Sequence, residues 1–323
     1  MKAFAAISLL VWLIPLAAQP TLPEPTLSAT GYIENPFVAT QISVRVDGAF
    51  DDRNPDLAEF FYPKCGCFRF AGVDPNAPGP GPGVVTNLRF QEYYAAVEYA
   101  VQRRFSFFAE VPFRSIQPIT FVPVPPNLGR TFSNESGFSD FRPGFKWAVD
   151  PNPNRYITFQ VRAYTPTGDA SQGLGTNHFS IEPALIFQRT LTPRTNLAGE
   201  AELWIPIGGS SLAPLPLNNG QFSGDVLSYG LGITYDLSRR RTGVRVSPAL
   251  EFVGWNVRGG SVTEATAPAP YIVDATNTNI ANLKGGARIF FNAHDSLYLG
   301  YGRQLTHIGW YRDILRLDYR HVF

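Results

Sequence analysis

This sequence predicts an all-β fold: a transmembrane, antiparallel up-and-down β-barrel of about 12 strands with both termini on the periplasmic side. Three observations predict it. Apolar and polar residues alternate over segments of about ten residues, the period of a two-faced strand. Short connections between those segments alternate with mostly long ones, the layout of barrels with short periplasmic turns and long outer loops. The chain also ends on such a strand, "LRLDYRHVF", closing on an aromatic, Phe323.

The N-terminus sets the compartment. "MKAFAAISLLVWLIPLAAQP" carries one Lys, a short apolar run and then small residues. That pattern is a secretory signal peptide over 1–18, with Ala18 the last residue removed. Pro15 and the shortness of the run argue against a membrane-anchor helix. No Cys follows the cleavage region, so no lipoprotein anchor is indicated. Residues 19–38 then read as a Pro-rich periplasmic N-terminal segment, and 39–323 as the barrel. Lys+Arg number 27 and Asp+Glu 26, so no net field attracts nucleic acid. Charged residues make up 16%, aromatics 14%, with 29 Gly and 28 Pro. After the signal, no apolar run is long enough for a spanning helix, and "ITFVPVPP" is broken by Pro123, Pro125 and Pro126.

Strands are expected near 40–50, 87–101, 105–115, 138–149, 155–166, 179–191, 196–207, 225–237, 243–255, 280–292, 296–305 and 311–323. The turns "QRR", "DPNPN", "TPRT", "SRRRT" and "AHD" are short. The other connections, 51–86, 116–137, 167–178, 208–224 and 256–279, are long, with 306–310 the short exception. Residues 51–86 form the long first extracellular loop in this reading.

The faces follow the period. Ile157, Phe159, Val161 and Ala163 alternate with Tyr156, Thr158, Gln160 and Arg162; Leu227, Tyr229, Leu231, Ile233 and Tyr235 alternate with Ser228, Gly230, Gly232 and Thr234. A soluble sandwich also alternates, with its apolar face inward. The hairpin layout, the signal peptide and the last residue favour the membrane. Arg89 shares the parity of Val97 and Tyr99, so a bulge or strand end is expected near it. In the last strand Leu315, Leu317, Tyr319, His321 and Phe323 share the outward face. Tyr319 and Phe323 resemble the C-terminal assembly signal of outer-membrane barrels, which implies the barrel-assembly machinery as a partner. A final aromatic also suits the membrane interface, where amphipathic rings are favoured.

The inward positions carry charges of both signs in about equal number. Glu110, Arg142, Lys146, Arg162, Tyr164, Glu182, Glu200, Glu202, Trp204, Glu251 and Arg288 are the candidate pore-lining residues. Two uses are open: charge pairs that hold the walls, or rows that select solutes in a narrow aqueous path. Pro112, Pro166 and Pro206 fall at inward parity near "EVPF", "YTPTG" and "WIPIG". A Pro loses a ladder bond, so these are expected at strand ends. A constriction near the outer mouth would then be lined by Glu110, Arg162, Tyr164, Glu202 and Trp204.

The segments "SGFSDFRPGFKW", "YITFQVRAYTPTGDASQGLGTNHFSIEPALIFQ" and "NLAGEAELWIPIGG" carry a family resemblance. Over roughly 136–209 the chain resembles the outer-membrane transporter family named after the meta-cleavage pathway of phenol degradation. The family's Gly-x-Gly-Asp strand entry is matched in part by Gly137 and Asp140. Pro166, Thr167 and Gly168 match its Pro-Thr-Gly, and Leu174 with Gly175 its Leu-Gly lead into the next strand. These motifs are turn and strand-end chemistry. The resemblance implies passive passage of small solutes, often hydrophobic or aromatic, with outer-membrane lipids as surroundings.

Other classes are weighed beside it. An outer-membrane lipid-active enzyme would need a lipid-facing Ser–His pair. Of the four His, His178 with Ser180 two residues on is the best candidate. No His/Cys/carboxylate spacing indicates a metal, and no cofactor or catalytic residue is assigned. A structural or adhesion barrel without flux is the other alternative. Cys65 and Cys67 in "YPKCGCFRF" are the only cysteines, and an oxidising compartment makes a disulfide between them possible. The aromatic surroundings suggest that this loop folds over or into the mouth as a lid rather than standing above the membrane.

Overall fold

The computed structural model describes residues 27–123, 132–212, 220–237, 243–265 and 270–323. The expected signal peptide, residues 19–26 and the "SRRRT" turn lie outside these. The described strands are β1 Gln41–Asp52, β2 Val84–Gln102, β3 Phe105–Val122, β4 Glu135–Phe138, β5 Arg142–Asn152, β6 Arg155–Tyr164, β7 Phe179–Thr192, β8 Thr195–Ile207, β9 Val226–Tyr235, β10 Arg245–Val257, β11 Ser261–Glu264, β12 Tyr271–Asp274, β13 Asn279–Phe290, β14 Asp295–Gln304 and β15 Asp313–Val322. All but three pair with their neighbours around a ring. β11 and β12 form a separate hairpin, and β4 pairs only with β3. β1 pairs with both β15 and β2, and β2 with β3, so the wall of 12 antiparallel strands closes without an edge. Closure gives every wall strand two partners, which hydrocarbon surroundings demand of a sheet.

All twelve predicted strands are present. β2–β3, β5–β6, β7–β8 and β13–β14 are joined by tight turns at one end of the barrel, called here the short-turn end. The long loops leave from the other end. The outer face is apolar along every wall strand tested by the sequence pattern: Leu231, Ile233, Leu283, Leu299, Leu315 and Leu317 are all exposed there.

Three boundaries differ from the sequence reading. β2 starts at Val84, so the first loop is 53–83. β3 runs on to Val122, because the outer halves of β2 and β3 pair with each other up to Val84↔Val122. Pro112 is therefore inside a strand. Its missing N–H falls where the β5 pairing (ending Glu110↔Arg142) gives way to the β4 pairing (starting Phe113↔Phe138), and its carbonyl accepts from Ser139 N at 2.9 Å. The segment expected as one strand over 138–149 is thus split at Ser139–Phe141. The irregularity expected near Arg89 lies between Val85 and Leu88, and Arg89 stays on the outward face.

The largest difference is inside. Residues 27–38, expected to lie in a periplasmic segment apart from the barrel, run through the lumen. Leu27 and Ala29 pack with Phe290 and Val322 at the short-turn end. The segment climbs to a bend at Gly31–Ile33 and returns, Phe37 packing on Tyr156 before β1 begins. Its physical reason is polar: inward strand residues supply the hydrogen bonds that an extended, otherwise unpaired backbone requires.

Candidate functional site: the occupied lumen

β10 places Glu251 inward at mid-wall. Its carboxylate accepts from Gly31 N (3.0 Å), Tyr32 N (2.9 Å) and Ile33 N (2.7 Å), and from the Tyr298 hydroxyl (3.0 Å). On β8, Glu200 accepts from Glu34 N at 2.7 Å. Cations hold the carbonyls. Arg288 donates to Thr30 O (3.0 Å) and pairs with Asp318 (2.7 Å); Arg316 donates to Gly31 O (2.6 Å) and forks onto Asp47. Lys146 donates to Asn35 O and to Glu98, both at 3.0 Å, and Thr158 to Pro36 O at 2.5 Å. Tyr32 sits under Lys284 and Arg316, its ring 4.4 and 4.5 Å from their charged groups. These contacts to backbone atoms hold the fold of the segment more than its side-chain identity.

One seat does depend on sequence. Gly230 and Gly232 face inward on β9. A Cβ at Gly232 would lie 2.9 Å from Ile33 Cδ1 and 3.0 Å from Glu251 Cγ, so the missing side chains make the groove that Ile33 fills.

Most of the expected constriction forms one network. Arg162 donates to Glu182 (2.6 Å) and to Glu34 of the inserted segment (2.8 Å), and lies 3.4 Å from Glu110; Tyr164 donates to Glu182 at 3.0 Å. Arg142 lies between the Tyr94 and Tyr164 rings and 3.8 Å from Glu92. Glu202 is buried, and its Oε1 has no hydrogen-bond partner among the described residues. Trp204 belongs to a different layer: it packs edge-on to Phe60 (5.2 Å) and to His178 (5.5 Å) at the mouth. The predicted lining residues therefore serve mainly to pair with one another and to grip the chain's own backbone. Beside the segment, a polar cavity of about 60 Å³ remains, bordered by Arg45, Glu110, Gln160 and Arg320.

The mouth is filled by the first loop. Phe60 sits between Trp204, edge-on at 5.2 Å, and Trp310, tilted at 4.6 Å, and Phe61 lies 4.2 Å from the Phe90 ring. Arg114 donates to Phe61 O at 2.8 Å and pairs with Glu92 at 2.8 Å. Asp56 accepts from Thr263 N and Oγ1, Glu59 from Ser210 N at 3.0 Å, and Lys64 donates to Asp74 and Ser211 O, both at 2.7 Å. The lid expected from the aromatic composition is thus a wedge that enters the barrel. Cys65 and Cys67 are joined by a disulfide at its back, packed with Phe68 and Ala77.

The motif residues converge on Asp140. Its carboxylate accepts from Gly168 N (3.0 Å), Thr176 N (2.9 Å) and Thr176 Oγ1 (3.1 Å). Gly168 and Gly175 touch backbone to backbone, and a Cβ at Gly175 would lie 2.4 Å from Asp140 Oδ1. Their chemistry is loop closure. Ser180 Oγ lies 3.2 Å from His178 Nδ1, but both are buried and face the lumen, so this pair is not lipid-facing. At the short-turn end Tyr319 (2.5 Å) and His321 (2.7 Å) both reach Asp295, and exposed Phe323 lies edge-on to His321.

Sequence reasoning placed Asp47 and Arg316 on the inward face but missed the inserted segment, and with it the parts that Tyr298, Arg316 and, through Arg316, Asp47 play in holding it. The available signal was the pair of inward glycines on β9, which leave an unfilled groove in the wall.

Residues 78–205 match the family described as "Putative MetA-pathway of phenol degradation", which bears out the resemblance carried by the motifs. An outer membrane channel from Pseudomonas putida F1 is similar in fold, with TM-score 0.51 and 16% identity over 94% of this chain and 100% of that one. The β domain of the Bordetella autotransporter BrkA gives TM-score 0.48 and 11% identity over 88% and 100%. No curated protein shows significant sequence similarity to the chain.

Proposed function

We propose that this chain is an outer-membrane channel for passive passage of small solutes, hydrophobic or aromatic compounds among them, closed at rest by its own residues 27–38 and by the 53–83 wedge. The observation that carries the reading is the lumen itself. A 12-stranded barrel encloses more space than its own wall side chains fill, and here two chain segments that belong to no wall strand take up that space. The family match and the apolar outer belt support the same reading. Export by the signal at 1–18, both termini in the periplasm, and assembly through Tyr319 and Phe323 complete it. No enzymatic step is assigned, since the Ser180–His178 pair faces away from lipid.

Occupancy of the lumen also favours a second reading, a structural barrel without flux. Liposome swelling and planar-bilayer conductance separate the two. The full chain, a variant lacking 27–38, a variant lacking 55–80 and a variant lacking both are compared after heat-modifiability shows each folded. The channel reading expects conductance and solute entry to rise on removing either segment and most on removing both. Folded variants that pass neither ions nor sugars, amino acids or aromatic acids would leave the structural barrel standing.

A further inference from the structure

The outer face changes character at one seam of the wall. β14, β15, β1 and β2 are consecutive around the ring. Their long-loop ends bring the exposed Arg303, Arg312, Arg53 and Arg89 together with two carboxylates, Asp51 and Asp313. Arg303, Arg312 and Arg53 border an open polar pocket of about 230 Å³, with Gln304 and Thr306 in its wall. The aspartates position the arginines. Arg53 forks onto Asp51 at 3.1 and 3.0 Å, and Arg312 lies 3.2 Å from the same carboxylate. Asp313 accepts from Arg312 at 2.7 Å and from the Tyr301 hydroxyl at 2.5 Å, with Arg303 3.7 Å away. Arg89 stands over the Phe50 ring at 6.0 Å. Four guanidinium groups against two carboxylates leave an excess of positive charge. Each guanidinium has five donors, of which Arg53 spends two on Asp51. Exposed pairs of this kind contribute little to stability, so stability alone does not account for the cluster.

Just below, the same strands turn apolar: Leu299, Leu315, Leu317 and Val44 are exposed on the outward face. Gly48 pairs with Leu315 on one side and Gln91 on the other, and a Cβ there would meet only the Phe50 ring, at 3.9 Å. The missing side chain leaves a shallow groove beneath the arginines.

We propose that this seam binds one phosphorylated glycolipid of the outer leaflet, with a phosphate on Arg303, Arg312 and Arg53, sugar hydroxyls towards Gln304 and Thr306, and an acyl chain in the groove at Gly48. Charge and position name the occupant. Arginine forks match phosphate oxygens in pairs, and basic clusters at headgroup level hold lipid phosphates. A soluble anion would use the pocket alone; the outward parity of Arg303 with Tyr301 and Leu299, and the groove beneath, select a lipid. From the proposed function the inference takes only that the long loops face outward.

The test is native mass spectrometry of the full chain in detergent, titrated with bisphosphorylated lipid A, with lipid A stripped of both phosphates, and with phosphatidylglycerol. The wild type is expected to hold one bisphosphorylated lipid A, and each of the other two lipids roughly tenfold more weakly, since the paired charge-assisted bonds or the sugar contacts are lost. Arg53→Gln, Arg303→Gln and Arg312→Gln combined should weaken lipid A by a similar factor. Arg189→Gln, at an exposed outward position near the short-turn end of β7, should leave it unchanged. Gly48→Leu fills the groove without displacing a neighbour and should also lower lipid A occupancy, which reads the site if the triple variant does not fold. Failure of the wild type to hold lipid A, equal affinity for the three lipids, or wild-type affinity in the folded triple or Gly48→Leu variant overturns the site. So does a loss in Arg189→Gln as large as in the triple variant. Conductance of the 27–38 deletion is measured without added lipid A, so a failure of the lipid site leaves the channel reading standing.

Discussion

Replacing Glu251 with Leu should release the inserted segment from the lumen. The substitution is close to isosteric, and it removes the acceptor for three backbone N–H groups and one hydroxyl, at 2.7–3.0 Å. Those donors would remain in a site with little water. Each buried donor left without a partner costs about 1–3 kcal/mol, and bonds to a charged acceptor sit at the upper end. Four such losses, discounted because the bend can relax, give roughly 4–6 kcal/mol against the seated state. At 1.4 kcal/mol per decade that is on the order of a thousandfold or more in the ratio of seated to released segment. The wall ladder of β10 with β9 and β13 does not use this side chain, so the barrel should stay folded and heat-modifiable. The assay is labelling of Ile33→Cys by a maleimide too large for the closed lumen, with bilayer conductance in parallel. In the Glu251 parent the Cys should be protected, as Ile33 is 1% exposed. In Glu251→Leu it should label quickly and conductance should rise. Glu251→Gln keeps one acceptor but turns an amide donor towards backbone donors, so it should fall between. Equal labelling in all three would refute the claim that this carboxylate holds the segment.

Leu231→Arg places a charge on the lipid face and should cost about 2–4 kcal/mol in a folding titration into bilayers; an unchanged midpoint would mean that this face does not meet lipid. Deleting Phe323, or replacing it with Asp, should leave unfolded precursor in the periplasm, because the strand end loses the aromatic that packs on His321; wild-type levels of heat-modifiable barrel would reject that role. The wedge should dock more firmly in acid. Burial pushes the Asp56 carboxyl up to about 6 from 3.8, so the docked loop favours its protonated form. That stabilisation is complete below about pH 3.8 and is lost as pH rises through about 6. Protease nicking of the 53–83 loop should therefore increase between pH 4 and pH 7, and Asp56→Asn should flatten the profile; a flat wild-type profile would count against it.

Reading by twos sufficed for the wall. Period-2 alternation places Leu231 outside and Gly232 inside, and a one-residue error would invert every strand, so each segment reported its own orientation. The motif glycines were legible as turns for the same local reason. The lumen was not legible, because what fills it is set by contacts far apart in sequence. Gly31 meets Glu251, Glu34 meets Arg162, and Phe61 meets Arg114, and none of these pairs shares a local period. Residues 27–38 carry no strand pattern and read as part of the Pro-rich periplasmic N-terminal segment.

The balance of inward charges can be understood on that basis. A pore lined for selectivity gains from an excess of one sign, since like charges in a row set the field along the path. A lumen that must hold a backbone needs both signs at once: carboxylates for its N–H groups, cations for its carbonyls. Glu251 and Glu200 take the first part, and Arg288, Arg316 and Lys146 the second. Leftover charges are then paired laterally, as Arg288 is with Asp318 and Arg316 with Asp47. The near-equality of the two signs among the inward residues fits a lumen built to grip a peptide. Any selectivity that appears on opening would come from whichever of these groups the departing segment leaves unpaired. Glu200 loses its backbone donor and Glu251 loses three, keeping the Tyr298 hydroxyl with Lys284 across the ladder, while Arg288 and Arg316 keep Asp318 and Asp47. The opened lumen should therefore favour cations over anions, a sign that a reversal potential under a salt gradient, measured on the 27–38 deletion, reads directly; anion preference in that variant would contradict the assignment of the carboxylates as the principal clamp.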